Sequence, residues 1–141
     1  MGVKRYLLDS NAMNPYIDRR EPVASRVKDA IRRGCRIGTC EPVVAEMLAG
    51  LELSATPQAN IARLNSALAN IACWPLDRAA AQVYGRLAAE LRRRGRPMQV
   101  IDMMIAAIAL SLGNCTVVTT DSDLSAVPGL SVENWEVEAS S

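Results

Sequence analysis

Apolar positions in this chain fall in two alternating rhythms: short solid runs, and longer stretches in which they recur at helical spacing. The first run, Lys4 to Leu8, reads as a buried strand, and Asp9-Ser10-Asn11 behind it is a group of cap-forming residues that turns the chain into a helix. From about Pro22 to Arg33, Val23, Val27, Ala30 and Ile31 share one helix face, and Gly34 stops that helix. A second strand, Cys35 to Cys40, follows directly. Glu41-Pro42 then opens a helix in which Val43, Val44, Met47, Leu48 and Leu51 form one stripe, with Glu46 on its flank. Thr56-Pro57 supplies the cap and first position of another helix, faced by Ile61, Leu64, Leu68 and Ile71.

A brief strand is predicted over Cys73 to Leu76. Asp77 is placed to cap a long helix from Arg78 to Arg94, where Ala80, Val83, Leu87 and Leu91 recur before Gly95 and Pro97 end it. Val100 to Leu112 is apolar almost all round. Gly113-Asn114 turn the chain into a strand from Cys115 to Thr120, and a last strand runs from Leu130 to Trp135. The tail, residues 136–141, has no core signal and is expected to fray. Strands alternating with helices predict an α/β fold, an α/β/α sandwich with a mostly parallel central sheet, because parallel strands need crossovers and crossovers put helices on the faces. With no linker, repeat or low-complexity segment, residues 1–141 read as a single domain. A chain of this size buries roughly 70% of the surface its unfolded form exposes.

Composition narrows the chemistry. Sixteen basic against fifteen acidic side chains leave a formal charge of +1, so distribution rather than total must point to partners. Most of the cations are arginines, gathered at Arg32, Arg33 and Arg36 and again at Arg92, Arg93, Arg94 and Arg96. Guanidinium forks suit phosphate and carboxylate partners, although a solvated helix face accounts for such clusters as well. The four cysteines show no paired spacing and no signal peptide precedes them, so reduced core thiols in a cytoplasmic protein are expected. The apolar stretch from Met103 to Leu110 is far short of the ~20 residues of a membrane span. The chain has no histidine, which excludes a histidine-based triad and a His-ligated zinc site.

Acid, base and ligand work therefore falls mainly to carboxylates. Asp9, Glu46, Asp102 and Asp121 each sit where a fold-forming apolar segment meets a polar one. In a parallel sheet, Asp9 and Asp121 would lie at carboxyl strand ends, where α/β proteins place their ligands. Asp102 is the most informative, because every other residue from Val100 to Leu110 is apolar, and an ionised carboxylate there is costly unless compensated. Each acid has a plainer explanation: a helix cap for Asp9 and for Asp102, a helix flank for Glu46, a turn residue for Asp121 with Asp123 as the next cap. None of these explains why all four would fall at one edge of one sheet. Acids gathered there repel one another, and remaining ionised requires a cation; all-oxygen ligands suit Mg²⁺ or Mn²⁺.

At these residues the chain resembles the PIN-domain ribonucleases, and more closely the VapC toxins of toxin–antitoxin pairs. Tyr6-Leu7-Leu8-Asp9-Ser10-Asn11 is similar to the family's first acidic motif, Val43-Val44-Ala45-Glu46-Met47-Leu48-Ala49-Gly50 to its second, and Asp102-Met103-Met104-Ile105-Ala106-Ala107 to its third. Val118-Thr119-Thr120-Asp121, with Val127-Pro128-Gly129-Leu130 and Asn134-Trp135, resembles its closing segment. The resemblance implies a PIN-like fold and a metal-dependent endoribonuclease that cleaves RNA phosphodiesters with a metal-activated water. It implies Asp9, Glu46, Asp102 and Asp121 as catalytic and metal-binding residues, supported by Ser10, Asn11 and Thr119, with Asp123 as an additional acid. It also implies a cognate antitoxin and a homodimer. The antitoxin would reach the acidic pocket, with the stripe of Val43, Met47 and Leu51 as a groove for its helix. Two departures stand out: Ile108 where many relatives carry histidine, and Leu124 where an aromatic residue is common.

Rival readings remain. A phosphoryl-receiving aspartate domain also collects acids around Mg²⁺ but wants a lysine after its last core strand, where this chain has none. A haloacid-dehalogenase-like phosphatase wants an acid where Asn11 stands. A non-catalytic PIN scaffold that binds RNA or antitoxin would be expected to have lost some of the four acids.

Overall fold

The computed structural model describes residues 2–137. Strand β1 (Arg5–Leu8) leads into α1 (Ser10–Ile17) and α2 (Val23–Arg32), and β2 (Arg36–Cys40) into α3 (Glu41–Glu52) and α4 (Pro57–Leu68). Strand β3 (Ala72–Trp74) is followed by α5 (Arg78–Arg93) and α6 (Val100–Leu112). Strand β4 (Cys115–Val118), a 3-10 turn over Ser122–Ala126 and β5 (Ser131–Glu133) complete the order. The strands form one sheet in the order β3-β2-β1-β4-β5, and every pairing is parallel. All carboxyl strand ends therefore share one edge.

The central strand, β1, meets the expectation of a buried strand. Leu7 and Leu8 point to opposite faces of the sheet, yet both are fully buried, so helices cover both faces and the α/β/α sandwich follows. Val117 and Val118 repeat this on β4. Helix α6 carries Ile105, Ala106, Ile108 and Ala109 into the core from several sides, which is why its sequence has almost no polar face. The amphipathic α5 buries Ala80, Leu87 and Leu91 and packs on α6. Asp77 caps α5 as expected, accepting from Ala80 N at 2.9 Å. No helix among the described residues is long and apolar enough to cross a membrane, and the four cysteines are free thiols.

Several expectations shift. Ile31 belongs to the apolar face of α2 by spacing, but it lies 54% exposed at the rim of a groove rather than in the core. Thr56 stands at the α4 N-cap without making a side-chain bond there. The final strand is shorter than Leu130–Trp135, because Trp135 leaves the ladder to pack at a tilt against Tyr6, with ring centroids 4.9 Å apart. Of the tail over 136–141, Val137 offers its carbonyl to Arg26 at 2.8 Å, and residues 138–141 lie outside the described part.

Gly38 in β2 shows how closely the edge strand is packed. A Cβ there would stand 2.7 Å from the Ala72 carbonyl oxygen and 2.7 Å from the Trp74 ring. The backbone oxygen is held in the β2–β3 ladder and cannot retreat without breaking register. Gly38→Ala should therefore destabilise the fold by about 1–3 kcal/mol through overpacking, read as a lower denaturant midpoint. An unchanged midpoint would mean that β3 is free to move.

Candidate metal centre

Asp9 is built into the structure more firmly than the other acids. It follows β1 directly, its N–H donates to Val118 O at 3.0 Å, and its side chain is only 5% exposed. Oδ1 accepts from Ser10 N at 2.7 Å, so Asp9 caps α1, and Oδ2 accepts from the Thr119 hydroxyl at 2.9 Å. The capping reading and the site reading thus describe two oxygens of one carboxylate. Burial pushes the Asp9 pKa up, the bonds from Ser10 and Thr119 oppose that, and Asp121 adds to the rise.

Thr119 links the two central strand ends. Its hydroxyl donates to Asp9 and accepts from Asn11 Nδ2 at 3.2 Å and from Asp121 N at 3.0 Å. One proton and two lone pairs are all a hydroxyl has, so each is used. Asn11 returns the connection by accepting from Thr120 N at 3.0 Å, which draws Thr120 out of the ladder and ends β4 two residues earlier than its sequence suggests. Ser10, Asn11 and Thr119 therefore hold the acids in place.

Asp121 accepts from Asp123 N at 2.9 Å and caps the 3-10 turn; the sequence had assigned that cap to Asp123. The turn leaves Asp123 exposed but beside its neighbours, and one carboxylate oxygen from each of Asp102, Asp121 and Asp123 lies within 4.8 Å of the other two. The signal for this grouping in the sequence is an acid two residues beyond a capping aspartate. Asp102 is not a cap, which corrects that alternative: Gln99 holds the N-cap of α6, and Asp102 sits in its first turn. Asp102 is pushed up to about 6, first by burial and then by Asp121, Asp9, Glu46 and Asp123. Glu46 stands exposed on α3, its Oε1 3.4 Å from the Ser10 hydroxyl. All four predicted acids, with Asp123, thus share the carboxyl edge, and the tightest group is Asp102, Asp121 and Asp123.

Among the described residues, none of these five acids is paired with a lysine or arginine, and no cation lowers the Asp102 pKa. Crowded carboxylate oxygens with no protein counter-charge and no nitrogen or sulfur donor fit a hard divalent cation. Two hollows flank this edge or lie apart from it. A small one, about 270 Å³, lies between Ser10, Asn14, Glu46, Met47 and Leu51. The larger, about 670 Å³, contains none of the acids and lies among α1, α2 and α4, rimmed by Tyr16, Ile31 and Arg63. Val43, by contrast, is fully buried and unavailable to a partner.

The raised Asp102 pKa has a defined consequence. Its folded value of about 6 exceeds the ~3.9 of an unfolded aspartate. The metal-free protein therefore has the associated stability in full below about pH 4 and loses it as pH rises through about 6. Thermal melts in chelator should show the parent losing ground to Asp102→Asn across that window, and saturating Mg²⁺ should abolish the difference in slope. Parallel pH profiles for the two proteins without metal would remove the repulsion from this account.

With this geometry in view, the chain's relatives are informative. Residues 6–130 match the PIN domain model. The tRNA(fMet)-specific endonuclease VapC of Shigella flexneri is 30% identical over 93% of this chain and 98% of its own. Ribonuclease VapC2 of Haemophilus influenzae is likewise 30% identical, over 93% and 98%. The crystal structure of DNA-bound VapBC from Salmonella typhimurium superposes with a TM-score of 0.84 at 29% identity, covering 95% of this chain and 99% of that one. VapBC-5 from Mycobacterium tuberculosis, a member of the VapBC family of toxin-antitoxin systems, gives a TM-score of 0.59 at 33% identity over 72% and 82%. The motif-bearing strand ends, the acids they gather and these matches converge: the chain belongs to the PIN-domain family and, within it, to the VapC ribonucleases.

Proposed function

We propose that this protein is a divalent-metal-dependent endoribonuclease and the toxin of a toxin–antitoxin pair, acting in the cytoplasm as one domain over residues 1–141. The observation that carries the proposal is the group of Asp102, Asp121 and Asp123 oxygens within 4.8 Å of one another, with no protein cation beside them. Asp9, Asp102 and Asp121 would hold Mg²⁺ or Mn²⁺, with Asp123 adjoining and Glu46 as an outer ligand. Such an ion supplies a bound water of lowered pKa and neutralises charge on the phosphoryl oxygens.

The chain's own residues set the rest. Ser10 N and Thr119 Oγ1 fix both oxygens of Asp9, so the buried carboxylate is held in one orientation whatever approaches it. Glu46 is the exposed acid of the group, with the Ser10 hydroxyl 3.4 Å from its Oε1, and would orient the attacking water or take its proton at Oε2. The presence of every acid favours this reading over a scaffold without turnover. Since the Shigella flexneri relative is named a tRNA(fMet)-specific endonuclease, tRNA is the first RNA to test.

Partners follow from the same reading. A small antitoxin would cover the acidic edge, where a cationic side chain can substitute for the ion's charge. The groove among α1, α2 and α4, with Ile31 exposed, offers a helix more apolar surface than the α3 stripe does. A homodimer would set two acidic edges beside one another.

Cleavage of an RNA panel should require Mg²⁺ or Mn²⁺ and stop in chelator. Asp102→Asn should lose at least about 100-fold in kcat while remaining folded, the scale of removing a group that stabilises developing charge. Cleavage that survives both would refute the metal centre. Co-expression with the small open reading frame beside its gene should yield a complex that no longer cuts RNA; a free, active nuclease after that experiment would remove the antitoxin claim alone.

A further inference from the structure

An acidic centre has a difficulty with a polyanionic substrate. Five carboxylates at one edge repel the phosphates that flank the scissile one, and a formal charge of +1 over the whole chain supplies no compensating field. Any compensation must be local. The two arginine clusters in the sequence differ in this respect, because the fold separates them.

Arg32, Arg33 and Arg36 span the end of α2 and the start of β2, at the amino edge of the sheet, opposite the acids. Part of that cluster is already engaged, with Arg33 Nε 3.2 Å from Asp29 Oδ2. Arg92, Arg93, Arg94 and Arg96 instead occupy the last turn of α5 and the segment leading into α6. Arg94 is paired with Glu90 at 2.8 Å. Arg92, Arg93 and Arg96 are exposed and have no carboxylate partner among the described residues.

A helix C-terminus favours cations, and that explains arginines in the last turn of α5. It does not explain Arg96, which lies beyond the helix. There Gly95 takes φ +68° and Arg96 N–H bonds back to Leu91 O at 2.8 Å, folding Arg96 against the turn that carries Arg92 and Arg93. From Arg96 the chain has only a short extended stretch before α6 begins, and Met98 packs that stretch against the core. Even fully extended, this leaves the Arg96 and Asp102 Cα atoms no more than about 20 Å apart. The three unpaired guanidiniums are thus tethered beside the acidic edge, within the span of a few nucleotides.

Resting on the ribonuclease reading, we propose that Arg92, Arg93 and Arg96 bind the backbone phosphates of single-stranded RNA flanking the cleavage point and hold the strand against the repulsion of the acids. Planar guanidinium forks match phosphate oxygens bidentately. Contacts of this kind position a strand without reading its bases, so they act alike on all sequences.

The test measures RNA binding across a salt series in an Asp102→Asn background, which prevents cleavage. Each phosphate contact with a single strand contributes about 0.7 to the slope of log affinity against log salt, so replacing Arg92, Arg93 and Arg96 together by glutamine should make the slope shallower by about 2. The weakening should be similar for unrelated sequences. Lysine at the three positions should restore most of the slope, since it keeps the charge. Removing as much charge from the other edge, with Arg32, Arg33 and Arg36 changed to glutamine, should leave the slope in place. An unchanged slope in the first variant, or an equal loss in both, overturns the assignment. Lost binding to polyglutamate with RNA affinity intact overturns it too and gives the patch to an acidic protein. A parent that neither binds nor cuts RNA fails the ribonuclease reading itself, which is a different result.

Discussion

The constraint on which the site depends is the mutual repulsion of carboxylates brought to one edge of a parallel sheet. Folding would avoid that arrangement unless something held the acids where they are. The Thr119 hydroxyl does much of this, joining Asp9, Asn11 and Asp121 across the ends of β1 and β4. Because it satisfies a buried oxygen of Asp9 while receiving Asp121 N–H, it couples the most buried acid to the turn that presents two others. The hydrophobic core supplies the rigidity behind this link: Leu7, Leu8, Val117 and Val118 are all closed off from water, so the two strand ends cannot drift apart to relieve the charge.

The acids share that repulsion unequally. Asp9 receives two hydrogen bonds that favour its ionised form, whereas Asp102 meets burial and four neighbouring acids. Asp102 does lie in the first turn of α6, where the helix dipole favours an anion. That stabilisation is small and leaves the pKa raised. Asp102 is therefore the acid with most to gain from a cation, which is why it, rather than the more deeply buried Asp9, is the residue whose change should be felt most in metal response.

Much of this was legible in the sequence because the elements announce themselves locally. The bounds of α6 at Val100 and Leu112 follow from an apolar run closed by Gly113-Asn114, and Asp77 is a cap by type and position. What was not legible depends on register between distant strands. That Asn11 reaches Thr120, shortening β4, needs β1 beside β4 and Leu8 opposite Val118, which no local pattern encodes. Asp121 and Asp123 are equally good caps by residue type, and only the backbone of the turn decides between them. Ile31 has the spacing of a core residue, but its neighbours across α1 and α4 stand back to leave a groove. The grouping of Asp123 with Asp102 and Asp121 has the same origin, in a turn whose geometry is set by one side-chain cap.

The absence of histidine gives these details their weight. A site with imidazole can hold a metal or move a proton near neutrality with one residue, and its pKa needs little tuning. A carboxylate site must crowd several acids to obtain either effect, and the pKa rises most where burial and repulsion act together. Here both acids are raised, to different ends: at Asp9 the fixed donors oppose the rise that burial imposes, and Asp102 is brought close to the pH range in which a cation and a proton compete for it. Because a cation that binds there displaces the proton, metal affinity and pH are linked through Asp102. The exposed Glu46 lies outside the tight group, beside the Ser10 hydroxyl.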